Sequence, residues 1–107
     1  LPTFAHELLK LSLDQQVDYV LPLGGFELEA LAEAKVLFDE YQIAVLVPDK
    51  DILGTFPILE NPPADLPFVL LSKGNNLFGD DVYENKVDGL LVRSDSEEDF
   101  ALICVSK

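Results

Sequence analysis

The sequence predicts a three-layer α/β domain of the Rossmann or flavodoxin-like kind, with about four parallel strands and flanking helices. Three observations lead there. Four short, nearly all-apolar runs recur along 107 residues, and strands read this way when helices cover both faces of a parallel sheet. Segments with helical periodicity or turn chemistry alternate with these runs, which is the order of βαβ units. Hydrophobic residues make up 49% of the chain against 25% charged, a balance that favours folding over disorder. The length is that of one domain, so residues 1–107 read as a single α/β domain. Leu1 stands where an initiating Met is expected, and helical pattern begins by residue 3. Both point to a processed or excised piece of a larger protein.

Thr3 is placed to cap a first helix, in which Phe4, Leu8 and Leu11 recur at helical spacing up to about Leu13. The run Val17–Leu23 is the first strand, and Gly24-Gly25 ends it. From Phe26 to Tyr41 the residues Ala30, Leu31, Ala34, Leu37, Phe38 and Tyr41 fall on one helical face, with Glu29, Glu33, Asp39 and Glu40 opposite. Ile43–Val47 is the second strand, closed by Pro48-Asp49. Gly54, Pro57, Pro62 and Pro63 allow only a short crossover over Asp51–Asp65. Pro67–Leu71 is the third strand, with Ser72–Asn76 as the polar loop at its carboxyl end. Val87–Val92 is the fourth, and Ser94–Glu98 resembles a capped helix start leading into Phe100, Ala101, Ile103 and Cys104. In a βαβ unit a helix connects two strands, so the helix-first order predicts that a leading strand is missing.

Twenty acidic residues against seven basic give a net charge of −13. Such a chain repels phosphate backbones and anionic headgroups, which argues against nucleic-acid or membrane-surface partners. A lone cysteine, Cys104, cannot form an internal disulfide, and with His6 as the one histidine no zinc spacing exists. A reducing, cytoplasmic setting is expected, with Cys104 in the core and His6 on the surface. No positively charged apolar leader and no apolar run of spanning length are present.

In open α/β sheets ligands sit beyond the carboxyl ends of the strands. The candidate ligand-binding residues are therefore Gly24, Gly25, Phe26 and Glu27 after the first strand, Asp49 after the second, and Ser72, Lys73, Gly74 and Asn75 after the third; Arg93-Ser94-Asp95 follows the fourth. Each has a structural alternative. The glycines can simply turn the chain, and Glu27 suits the amino end of a helix whatever the protein does. Asp49 with Asp51, or Asp80 and Asp81 with Glu84, offer too few ligands for a metal site. Ser72, Ser94 and Cys104 lack the second histidine that nucleophilic catalysis needs. No phosphate-cradling glycine motif is present. A complete catalytic constellation is thus not expected in this chain.

The order Asp18–Leu23, Glu27-Leu28, Leu31–Glu33, Leu37-Phe38 and Ile43–Asp49 resembles the amino-terminal, Rossmann-like region of ATP-grasp ligases of the carbamoyl-phosphate-synthase-like kind. That region precedes the ATP-grasp fold and contributes to the substrate side of its cleft. Pro67–Lys73 followed by Leu91–Glu98 is similar to the family's lysine strand, and Lys73 would take the place of the phosphate-contacting lysine. The magnesium-binding acidic residues have no counterpart, so the resemblance implies ATP and magnesium only if a further domain completes the site. A second resemblance is to receiver domains of two-component signalling. Asp49 would stand for the phosphoacceptor, Ser72 for the hydroxyl residue and Arg93 for the lysine, without the acidic pair of a first strand. That implies a pseudo-receiver that works through protein contacts. The functions to be weighed are an accessory domain with a small ligand or a neighbouring domain, a pseudo-receiver, and a structural module that associates with itself through a sheet edge.

Overall fold

The computed structural model describes residues 3–83, 86–93 and 100–105. Helix α1 (Thr3–Asp14) buries Ala5, Leu9 and Ser12 on one face, and the Ser12 hydroxyl satisfies itself by donating to the Leu8 carbonyl at 2.7 Å. His6 is exposed. Strand β1 (Tyr19–Val20) and strand β2 (Ala44–Val45) form a parallel pair, Tyr19 opposite Ala44 and Val20 opposite Val45. Helix α2 (Gly25–Glu40) joins them, so the best-patterned part of the sequence is a β-α-β unit. The two strands are shorter than the expected runs of 17–23 and 43–47 because Pro22 and Pro48 lack the N–H groups that would prolong a ladder.

Helix α2 ends in a left-handed turn. Tyr41 is the C-cap, Gln42 follows at φ 62°, and the N–H groups of Gln42 and Ile43 donate to the carbonyls of Asp39 and Phe38, the paired bonds of a Schellman motif. Tyr41, expected on the buried face, is 50% exposed because it lies past the last helical residue. A glutamine at positive φ costs what glycine does not. Gln42→Gly is expected to raise stability by about 0.5–1 kcal/mol, read as a higher urea midpoint at unchanged slope.

The remaining strands form a second, mixed sheet. A four-residue turn of helix, α3 (Lys50–Leu53), leads to strand β3 (Ile58–Glu60) inside the segment expected to be only a crossover. Then come β4 (Phe68–Ser72), β5 (Asn75–Asn76), β6 (Gly89–Arg93) and β7 (Phe100–Cys104), in the spatial order β3-β7-β6-β4-β5. β3 runs parallel to β7, whereas β4 is antiparallel to β5 and β6, and β6 to β7. Four parallel strands are therefore not what the chain forms: the third and fourth apolar runs pair antiparallel. Antiparallel neighbours need only a tight turn or a loop, and no described helix separates β4 from β6. Phe100–Cys104, expected to continue a helix, is strand β7; a five-residue apolar run is too short for periodicity to tell the two apart. The expected cap at Ser94–Glu98 lies outside the described residues.

Register sorts the sheet into two faces. Val69, Leu71, Leu91, Leu102 and Cys104 face inward and share one core with Ala5, Leu9, Leu28, Leu31 and Phe38 of α1 and α2. Cys104 is buried there, as expected of a small apolar side chain. Phe68, Leu70, Leu90, Val92, Ala101 and Ile103 alternate with them and face the other way.

The parallel pair and the mixed sheet meet at a seam. The Val105 N–H donates to the Leu23 carbonyl at 2.8 Å. A side chain at Gly89 would lie 3.3 Å from Pro48 Cδ and 3.7 Å from the Leu46 carbonyl oxygen, so the start of β6 is pressed against the end of β2.

Candidate functional site

The seam carries the strongest electrostatic feature among the described residues. Leu28, Leu31, Lys35 and Phe38 recur at helical spacing along α2 and all four are buried, so Lys35 occupies a core position with a cationic tip. Its Nζ donates three hydrogen bonds: to the Val47 carbonyl at 2.7 Å, to Asp49 Oδ1 at 2.6 Å and to Asp88 Oδ2 at 2.8 Å. An ammonium has three donors, and all are used. The Lys35 and Asp88 side chains are 11% and 15% exposed, whereas that of Asp49 is 68% exposed. Asp88 is therefore the inner counter-ion and Asp49 the solvated one. The second Asp88 oxygen accepts the Lys73 backbone N–H at 2.7 Å. One carboxylate thus ties the middle of α2 to the turn between β4 and β5.

Burial pulls the Lys35 pKa down, but the hydrogen bonds and charges of Asp49 and Asp88 more than offset it and hold the ammonium above the ordinary lysine value. A lysine that acts as base or nucleophile needs the opposite shift. The cluster is suited to clamping, not to proton transfer.

Of the residues singled out in the sequence, Asp49 and Lys73 are brought to this cluster, Lys73 through its backbone. Lys73 and Gly74 are the two central residues of a hairpin, at φ 51° and 84°, the left-handed pair of a type I′ turn. Ser72 and Asn75 pair across it, with Asn75 Nδ2 donating to the Ser72 carbonyl at 3.3 Å. The polar loop expected here is a tight turn. Gly24–Glu27 lies apart from the cluster and caps α2. The Gly24 N–H donates to Glu27 Oε1 at 3.1 Å, and the Gly24 carbonyl accepts the N–H groups of Glu27 and Leu28, half of a capping box, since glycine has no side chain to return the bond. A Cβ on Gly24 would meet that carboxylate at 3.2 Å. Phe26 packs against Phe4 of α1 with ring centroids 5.2 Å apart and the rings tilted by 49°.

Sequence reasoning missed Lys35 and Asp88. The signal for Lys35 was present, a lysine in phase with Leu28, Leu31 and Phe38. For Asp88 it was one acidic residue inside an apolar run.

A cleft of about 500 Å³ opens beside the strand ends, between the first turn of α2, α3 and β3, with Gly25, Leu28 and Ile58 in its walls and Cys104 at its base. Its charged residues are Glu29, Glu60 and Lys50, and Lys50 is paired with Glu33 at 3.1 Å. The acidic excess disfavours a bare phosphate and suits a neutral or cationic ligand. Among the described residues no three His, Cys, Asp or Glu side chains are grouped to hold a metal ion, and no helix is long and apolar enough to cross a membrane. No family model matches the chain, and neither a curated protein nor a solved structure matches it. Fold and site define it as a mixed α/β domain with a clamped strand-end surface.

Proposed function

We propose that this chain is a non-catalytic accessory α/β domain, related to the Rossmann-like amino-terminal domain of ATP-grasp ligases, that presents its strand-end surface to a neighbouring domain or a small ligand in a reducing, cytoplasmic setting. The observation that carries this reading is the saturation of Lys35, whose three bonds to Val47, Asp49 and Asp88 leave the polar cluster at the strand ends closed. Support for the family also comes from the parallel β1-α2-β2 unit, which spans the residues that carry the resemblance.

The pseudo-receiver is the second reading, and what favours it is an aspartate, Asp49, held by a lysine just beyond a strand's carboxyl end. Both readings expect no phosphoryl chemistry. Incubation with acetyl phosphate and magnesium is expected to leave Asp49 unmodified by intact mass, and 5 mM ATP with magnesium to leave Tm within about 1 °C, because a ligand raises stability only in proportion to its binding. A gain of 80 Da on Asp49 would overturn the non-catalytic assignment. A clear rise in Tm with ATP would instead show that the chain binds nucleotide by itself.

A further inference from the structure

The outward face of the mixed sheet is as apolar as its inward one. Phe68, Val92 and Ala101 stand in one cross-strand row and Leu70, Leu90 and Ile103 in the next. Val92 and Ile103 are buried yet stand outside the main core, which takes in the inward residues and both long helices. The segment after β3 folds back over part of this face and leaves a groove of about 420 Å³, walled by Pro62, Ala64, Phe68, Phe78, Leu90 and Ile103. Beside it Phe78 is 64% exposed and Val105 47%. Large apolar side chains left in water around an apolar hollow mark a contact surface more than a solvent face.

Charge selects the occupant. The segments bordering the groove carry Asp65, Asp80 and Asp81, all exposed. The described lysines Lys10, Lys35, Lys50, Lys73 and Lys86 lie in none of these segments, and Arg93, at the end of β6, shares its register position with the inward Leu91 and not with Leu90 of the groove. A second copy would bring the same acidic segments and a further −13 of charge against it, and an anionic membrane surface would be repelled likewise. The geometry points to this groove as the docking site of a short partner-protein segment that inserts an apolar anchor between lysines or arginines. The apolar anchor gains burial against Phe68, Leu90 and Ile103, and the flanking cations are drawn by the carboxylates one to three residues along the chain from Ala64 and Phe78, which adds steering and salt dependence. This surface is separate from the strand-end cluster, so the proposal stands or falls independently of the function proposed above.

The test is a fluorescence-anisotropy titration of the full chain with a labelled twelve-residue peptide of alternating leucine and lysine. Saturable binding is expected, weakened at least fivefold by Phe78→Ala and again by Asp80→Lys, and weaker at 300 mM than at 50 mM salt. Both substitutions fall on exposed residues, and an unchanged Tm confirms that the fold persists. Equal binding by a peptide with alanine for every leucine would reduce the effect to charge and overturn the proposal. So would unaltered binding by Phe78→Ala, or a concentration-dependent dimer in sedimentation that Phe78→Ala abolishes, which would make a second copy the occupant.

Discussion

Lys35→Met is expected to cost about 3 kcal/mol, the lower end of the range for removing one partner of a buried ion pair, and to lower Tm by about 12 °C or more at this chain length. Methionine keeps most of the aliphatic stem, so the loss isolates the ammonium. Asp49, 68% exposed, is taken up by water at little cost. Asp88, 15% exposed, is left with a charge facing the core and one remaining bond, from the Lys73 N–H, and the Val47 carbonyl loses its ammonium donor. Adding Asp88→Leu to Lys35→Met should recover part of the loss by removing the orphaned charge. It should not recover all of it, because the Lys73 N–H then loses its acceptor. A double-mutant cycle on thermal melts measures both terms.

The same cluster gives stability a defined pH dependence. The folded pKa of Lys35 lies above its ordinary value, so its contribution is fully present below about pH 10.4, the unfolded lysine value, and is lost as pH rises through the folded one. The Tm difference between the wild-type chain and Lys35→Met is therefore expected to stay constant from pH 7 to about 10 and to shrink above that. A difference that narrows already between pH 7 and 9 would show that Lys35 is not held as an ammonium.

Much of the first half of the fold was legible because its signals are local. Helical phase fixed α1 and α2, and glycine and proline marked where β1 and β2 end. The second half depends on pairing partners that are distant in sequence. Pro67–Leu71 and Val87–Val92 read as parallel strands because both runs are nearly all apolar, and they fold as the antiparallel pair Phe68–Ser72 and Gly89–Arg93. In the folded chain that apolarity serves an inward core and an outward groove in an antiparallel sheet, an outcome composition alone cannot distinguish. The site was half legible for the same reason. Asp49 and Lys73 were singled out as strand-end residues, but the two residues that link them, Lys35 on Asp49 and Asp88 on the Lys73 N–H, meet across 53 positions of sequence. Only the closing of the seam brings them together.

Gly89 is where that closing is least tolerant. Its φ of 136° lies where side-chain-bearing residues rarely go, and an added Cβ would stand 3.3 Å from Pro48 Cδ and 3.4 Å from Leu102 Cδ1. Proline cannot swing aside, because its ring is fixed to the backbone that closes β2, and Leu102 is 1% exposed in the core. Gly89→Ala therefore carries both a backbone penalty and overpacking, together about 2–4 kcal/mol. The neighbouring Asp88 should move with it, so the variant also loosens the Lys35 clamp, and its effect should be less than additive with that of Lys35→Met. Gly54→Ala is the matched control. Gly54 sits at φ −70° with nothing within 4 Å of the added carbon, and the substitution should leave stability unchanged or raise it by about 0.5 kcal/mol. Urea unfolding of the two variants gives the decision: a Gly89→Ala midpoint within error of Gly54→Ala would mean that β6 is not pressed against the end of β2, and that the seam is held by the ion cluster and the bond from Val105 to Leu23 instead.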